Sequence, residues 1–159
     1  MRAAVLTVSD GVAAGERDDE SGDVLATLLA EAGFTVERRV VADEREAVAD
    51  AIVELAEDAT LVVTTGGTGV ALRDVTPEAT LDVIDRVAPG IAEAIRADAI
   101  ARTPHGLLSR GVAGVRDRTL VVNLPGSPGG CRDGFAVLQP ALRHALALLT
   151  GQTTAHRQT

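Results

Sequence analysis

Thr65-Gly66-Gly67-Thr68-Gly69 is followed within a few residues by Arg73 and Asp74, and then by Thr76-Pro77-Glu78. These residue types at this spacing suit phosphate chemistry. Glycines let a backbone approach an anion closely and present its N–H groups to it. Arg73 adds a bidentate anion contact, and Asp74 adds a hard oxygen for a divalent cation. Leu61-Val62-Val63, just before the loop, reads as a buried strand. Thr76 suits a helix N-cap, Pro77 the first helical position, and Glu78 the positive end of the helix dipole. The plainer alternative is a glycine turn that closes a core strand.

The loop matches neither common nucleotide loop. The chain contains no Lys, so it has no Walker A sequence and no Schiff-base or pyridoxal-phosphate chemistry. Gly67-Thr68-Gly69 begins like a dinucleotide fingerprint, but Leu72 stands where the third glycine belongs.

Composition narrows the partners. A net charge of −8 and a pI of about 4.8 leave no basic footprint for nucleic acid, and Trp and Tyr are absent as stacking platforms. An acidic chain repels nucleotide phosphates unless a divalent cation or local arginines intervene. The one Cys forms no internal disulfide and fits a reducing compartment. Arg2 leads into Ala3-Ala4-Val5-Leu6-Thr7-Val8, too short for a signal segment, and no stretch reaches the length of a membrane span. The expectation is a cytoplasmic protein with one domain over 1–150 and a polar tail over 151–159.

Ala3 to Val8 reads as a buried strand ended by Ser9-Asp10-Gly11. Ser21 caps an expected helix carrying Val24, Leu25, Leu28 and Leu29, with Gly33 closing it. Thr35 to Val41 is a second strand. A helix then opens at Asp43-Glu44-Arg45-Glu46 and buries Val48, Ile52, Val53 and Leu55. Thr60 to Thr64 is a third strand, Pro77 to Arg86 a third helix, and Pro89-Gly90 opens a fourth through Ile91 and Ile95. The region from Thr103 to Arg118 is irregular, with a short extended piece near 107–112. Thr119 to Asn123 is a further buried strand. The loop Leu124 to Gly130 leads into a last helix carrying Phe135, Val137, Leu138, Leu142, Leu146 and Leu149. This alternation predicts a three-layer α/β/α fold around a mostly parallel sheet.

Ligands of such sheets sit beyond the carboxyl ends of the strands. Four loops meet there: Ser9-Asp10-Gly11, Ala42-Asp43, Thr65 to Asp74, and Asn123 to Ser127. Asp43 and Asp74 can then face one another and hold a triphosphate through Mg2+. Each has a simpler role: Asp43 with Glu46 resembles a capping box, and Asp74 suits a turn before Thr76. Ser9 and Asp10 are either turn residues or cleft residues. Pro125-Gly126-Ser127-Pro128 offers backbone N–H groups and a hydroxyl to an anion, or simply turns the chain. Ser109 and Arg110 are candidate anion contacts, against the simpler reading of a solvated Arg. His105, His144 and His156 have no partner at metal-ligand spacing. Cys131 begins the last helix, where a thiol pKa can fall, but it lacks a paired His.

In this order, these residues resemble the Mog/MoaB family of molybdenum-cofactor biosynthesis proteins, whose fold also occurs in the gephyrin G domain. The block T-G-G-T-G-x-x-x-R-D-x-T-P-E over Thr65 to Glu78 is its most specific part, joined by Ser9-Asp10, Asp43, Ser109-Arg110 and Asn123 to Pro128. The resemblance implies a homotrimer with a cleft for pterin and nucleotide. It implies a molybdopterin adenylyltransferase that uses MgATP, releases pyrophosphate and passes its product to a molybdate-insertion enzyme. On that reading Thr65, Gly66, Gly67, Thr68, Gly69 and Arg73 hold the nucleotide phosphates. Asp43 and Asp74 act through Mg2+, and Ser9, Asp10, Pro125, Gly126 and Ser127 hold the pterin side. The chain departs from many Mog members at Gly11, where they carry Arg; Arg17 is the candidate substitute. The alternatives are a non-catalytic MoaB-like module that binds molybdopterin or a partner, and a CinA-related nucleotide hydrolase, for which no accessory domain is present.

Overall fold

Apolar side chains alternate along the central strands, and this alternation divides the core in two. The computed structural model describes residues 1–152. β1 (Arg2–Val8) turns Ala3 and Val5 to one face and Ala4, Leu6 and Val8 to the other. β3 (Leu61–Thr65) and β6 (Thr119–Leu124) alternate in the same way. Both faces are buried, so these strands read as continuous apolar runs.

α2 (Glu20–Glu31), α5 (Pro89–Arg102) and α6 (Pro128–Thr150) cover the first face through Leu25, Leu29, Ile95, Phe135, Leu138 and Leu142. α3 (Arg45–Ala56) and α4 (Thr76–Val83) cover the second through Val48, Ile52, Leu55 and Ala79. The result is the expected three-layer α/β/α fold. β2 (Thr35–Val41) is an edge strand beside β1, and it carries charge on both faces: Arg38 pairs with Asp19 and Asp23, and Arg39 with Glu54. Charged edge strands resist pairing with other chains.

The strand order is β2-β1-β3-β6-β5-β4. The first four strands are parallel. β5 (Ala113–Arg116) runs antiparallel to β6, and the two-residue β4 (Arg86–Val87) antiparallel to β5. The chain leaves β1 towards β2 and later leaves β3 on the other side. Their C-terminal loops therefore diverge, and a crevice opens between the ends of β1 and β3.

Several local expectations shift. Asp19, not Ser21, caps α2, its carboxylate accepting from the Gly22 N–H at 3.0 Å. Ser9-Asp10-Gly11 is a helical turn rather than a plain bend: α1 spans Asp10–Ala13, with the Ser9 hydroxyl accepting from the Val12 N–H. The third helix ends at Val83 instead of Arg86, because Ile84 is extended and Arg86 pairs with Val115. The irregular 103–118 region holds a 3₁₀ turn (Pro104–Leu108) and then the β5–β6 hairpin. Asp117 stands at φ 51° in that hairpin turn, which lacks the Asn-Gly or Asp-Gly pair that would mark it in sequence. Gly151 ends α6 in the left-handed region, and His156 lies outside the described residues.

A polar cross-link joins the sheet to the helix that follows the glycine loop. Buried Asn123 donates to the hydroxyls of Thr64 and Thr80, each at 3.0 Å, and accepts from the Val112 N–H at 3.1 Å. Asn123→Ala leaves that N–H without its acceptor, and is expected to lower stability by about 2–3 kcal/mol, read as a shifted urea midpoint.

Candidate functional site

β1 ends at the extended Ser9, whose N–H donates to the Val41 carbonyl at 3.0 Å. This ties the loop after β1 to the loop after β2. Two reciprocal bonds complete the tie: the Asp10 N–H donates to Asp43 Oδ2 at 2.8 Å, and the Asp43 N–H donates to Asp10 Oδ1 at 3.0 Å. Asp43 is therefore not a helix cap. Glu44 occupies that position on α3 and makes no side-chain capping bond.

Arg73 closes on Asp10 as a bidentate pair, with Nε donating to Oδ2 at 2.6 Å and Nη2 to Oδ1 at 3.0 Å. The Arg73 guanidinium, and then the Asp43 N–H, hold the Asp10 carboxyl below its ordinary pKa. Asp43 moves the other way. Burial raises its pKa most; the Asp10 N–H opposes this, while the negative charges of Asp10 and Asp74 add to the rise. Asp74 carries its carboxylate on the facing loop, where Oδ2 accepts from the Ala71 N–H at 3.1 Å. That bond is the turn role expected of Asp74, and it leaves the Oδ1 atom for other contacts.

The glycine loop has little room. Gly66 and Gly67 both have positive φ, at 97° and 67°. A β-carbon on Gly66 would lie 2.3 Å from the Val8 carbonyl oxygen, and one on Gly67 would lie 2.4 Å from Thr76 Oγ1 and 3.3 Å from Asp43 Oδ1. Thr76 is the first residue of α4 rather than its cap; its hydroxyl donates back to the Gly66 carbonyl at 2.9 Å. Thr65 donates to the Pro125 carbonyl at 2.8 Å, and a β-carbon on Gly126 would stand 3.2 Å from the Gly66 Cα. The two glycine-containing loops therefore touch backbone to backbone.

Two recesses flank this contact. The polar one, of about 250 Å³, is lined by Ser9, Arg17, Asp19, Asp43, Gly67 and Asp74, among others. The larger one, of about 330 Å³, lies on the other side of Thr68-Gly69 and Pro125 and is walled by Ile95, Ala99, His105 and Leu108. Gly66 and Gly67 thus border the polar recess, while Thr68, Gly69, Pro125 and Ser127 border the larger one. Asp10 and Arg73 line neither and stay paired beside Asp43. The aliphatic part of Arg17 lies over Gly11, where a β-carbon would meet its Cδ at 2.9 Å.

Three candidates have structural roles within the fold. The Ser127 hydroxyl caps α6, accepting from the Gly130 N–H at 3.0 Å. Arg110 is half-buried and lines neither recess, its guanidinium being bonded to main-chain carbonyls and Glu78. Burial pushes the Cys131 thiol up to about 11 rather than down, and the thiol sits between the Thr65 hydroxyl and the Pro125 carbonyl. Asp19, Arg96 and His105 line the recesses without having been singled out as cleft residues. Asp19 had a readable signal, an Asp just before a helix start. His105 and Arg96 had none, since only the packing of α5 brings them there.

Two carboxylates and a glycine loop bordering one recess at a strand-order switch place the chain among α/β domains whose crevice lies at the carboxyl edge of a parallel sheet. The comparisons narrow the class. Residues 4–144 match the family described as a probable molybdopterin binding domain. A molybdopterin adenylyltransferase of Helicobacter pylori is 37% identical over 92% of this chain and 86% of its own length. The molybdopterin biosynthesis enzyme MoaB of Thermus thermophilus superposes with a TM-score of 0.88 at 45% identity, covering 95% of this chain and 97% of its own. The Mog protein of Mycobacterium ulcerans gives 0.89 at 44%, covering 93% and 98%. The chain belongs to the molybdopterin-binding Mog/MoaB family of molybdenum-cofactor biosynthesis. Among the described residues, no helix is long and apolar enough to cross a membrane.

Proposed function

We propose that this chain is a molybdopterin adenylyltransferase, moving the adenylyl group of ATP onto the terminal phosphate of molybdopterin with release of pyrophosphate. The observation that carries the reading is the convergence of Asp43, Asp74 and the Gly66-Gly67 backbone on one polar recess. The names of relatives such as the Helicobacter pylori protein support it.

In the reaction, an oxygen of the molybdopterin phosphate bonds to the α-phosphorus of ATP, and the bond from that phosphorus to the β-bridging oxygen breaks. The nucleophile is already an anion and pyrophosphate leaves as one, so no general base is needed. The obstacle is charge, and the recess carries more carboxylates than cations. Asp43 and Asp74 border one recess, and two carboxylates suit Mg2+, which typically takes one or two carboxylates plus phosphates and water. When bound, Mg2+ neutralises phosphate charge and orients the α-phosphate. On this reading the glycine loop positions the phosphates by its amides, and Arg73, paired with Asp10 beside Asp43, exchanges that carboxylate for a phosphate oxygen when the ligand enters. Ser9, Asp10 and the Pro125 to Ser127 loop stand on the pterin side of this reading. A cytoplasmic homotrimer with a transient contact to a molybdate-insertion enzyme belongs to the same proposal.

The test is incubation with molybdopterin, Mg2+ and ATP labelled at the α-phosphate. Label on the pterin is the expected result. Pterin binding without transfer leaves a binding module, the reading favoured by Gly11 in place of Arg. ATP cleavage without pterin points to a hydrolase.

The raised Asp43 pKa gives a pH prediction. The fold favours its neutral form, so protonation sets in at higher pH than for an ordinary aspartate. Calorimetric affinity for Mg2+ with a non-hydrolysable ATP analogue, measured from about pH 7 down to 4, is expected to fall through that raised pKa. Asp43→Asn is expected to remove the carboxylate's share of that fall and leave only the titration of the analogue's own phosphates.

A further inference from the structure

Arg110 lies behind the glycine loop and holds it by main chain alone. Its own N–H donates to the Thr68 carbonyl at 2.8 Å, its Nε to the Gly69 carbonyl at 2.7 Å and its Nη2 to the Asp74 carbonyl at 2.8 Å. Its Nη1 meets the Glu78 carboxylate in the first turn of α4. One side chain thus spans both ends of the excursion from Gly69 to Asp74.

That excursion has no core of its own. Val70 is 64% exposed and Leu72 fully exposed, so apolar packing does not hold the tip. Its shape depends on polar contacts: those of Arg110, the Asp74–Ala71 turn and the Arg73–Asp10 pair, of which only Arg110 reaches both ends of the excursion. All peptides here are trans. In a trans peptide the carbonyl and the next N–H point in opposite directions. With the Thr68 and Gly69 carbonyls drawn to Arg110, the N–H groups of Gly69 and Val70 point away from it. The carbonyl dipoles that would repel a phosphate are thereby turned to the far side of the loop.

We infer that Arg110 is a positioning residue for the phosphate site: it fixes the path of Thr68 to Asp74, so that loop amides and the Asp74 carboxylate keep the directions a phosphorylated ligand needs. This rests on the reading that the loop holds phosphates. Arg110 itself touches no substrate in this scheme. A lysine cannot replace it, because one ammonium cannot reproduce the planar fork that reaches two carbonyls and a carboxylate. Glu78 orients the fork through Oε1, while its Oε2 is buried with no hydrogen-bond partner, so Arg110 also balances a partly buried charge. That charge makes Arg110→Ala a poor test alone, because the orphaned Glu78 is destabilising by itself.

The experiment therefore compares wild type, Arg110→Lys, Arg110→Ala and the double variant Arg110→Ala with Glu78→Gln. Thermal midpoints, MgATP affinity by calorimetry, amide hydrogen exchange across 68–74 and adenylyl transfer are measured on each. The double variant is expected to melt near wild type, exchange its loop amides faster and lose on the order of a hundredfold in transfer efficiency. Arg110→Lys is expected to recover little. Added guanidinium ion, far below unfolding concentrations, is expected to restore part of the lost MgATP affinity and transfer in the double variant, which a merely structural defect would not permit. A folded double variant with wild-type loop exchange and MgATP affinity would overturn the inference. If wild type itself transfers no label, the adenylyltransferase reading fails separately, and loop exchange with MgATP affinity still decides the role of Arg110.

Discussion

Asp74→Asn and Asp43→Asn are each expected to cut adenylyl transfer on the order of a thousandfold while leaving the fold intact. The magnitude follows from losing one carboxylate of a two-carboxylate cation site, an effect of several kcal/mol on a transition state dense with phosphate charge. Both substitutions spare the local hydrogen bonds. An Asn at 74 keeps an oxygen for the Ala71 N–H, and an Asn at 43 keeps one for the Asp10 N–H. Asp43→Asn also removes a partly buried charge that faces two other carboxylates, so its thermal midpoint is expected to hold or rise slightly. Single-turnover label transfer and a melting curve on the same preparation check both halves. Transfer within tenfold of wild type in either variant would remove that carboxylate from the proposed mechanism.

Gly66→Ala is the substitution expected to damage the fold most. At φ 97° an alanine is strained before any neighbour is considered. Its β-carbon would then sit 2.3 Å from the Val8 carbonyl oxygen, at the end of a strand held on both sides by β2 and β3. Backbone there cannot move without breaking ladder bonds, and the Gly66 N–H already donates to the Leu124 carbonyl. A loss above about 4 kcal/mol, or failure to accumulate as soluble protein, is expected. Gly129→Ala is the matched control. It lies in the first turn of α6, has no positive φ and has nothing within 4 Å of an added β-carbon. It is expected to be neutral or to gain up to about 1 kcal/mol. Urea midpoints of the two variants measure the contrast. A Gly66→Ala protein as stable as wild type would mean that the loop relaxes freely, and the close-approach account of its glycines would fail.

Much of this architecture was readable from local pattern. Continuous apolar runs marked β1, β3 and β6, because a strand buried on both faces needs no polar positions. Helical spacing marked α2, α3 and α6 by their inward leucines, valines and isoleucines. The glycine loop was readable because two successive positive-φ residues admit little else, and its place after a core strand put it at the ligand edge of the sheet. The same reasoning brought Ser9, Asp43, Asp74 and Gly126 to one crevice, since each follows a strand whose direction was fixed by the alternation of elements.

Other features had no local signal. β4 is only Arg86–Val87, and it exists because β5 offers it an edge; nothing in those residues outweighs the preceding helix. The partner of Arg73 proved to be Asp10, 63 positions away in the chain, and the partner of Asp43 proved to be the Asp10 main chain, 33 away. Arg110 looked like a solvated or anion-binding cation and instead braces a loop 41 positions earlier. The mostly parallel three-layer fold, and the gathering of Ser9, Asp43, Asp74 and the glycine loop at the carboxyl edge of its sheet, were legible in the sequence, because they follow from periodicity and backbone freedom within short windows; the strand order and its switch point were not. Which charges pair, which hydroxyls cap helices and which arginine bonds the loop carbonyls emerge only in the folded chain, because such partners are chosen by distances that no local pattern encodes.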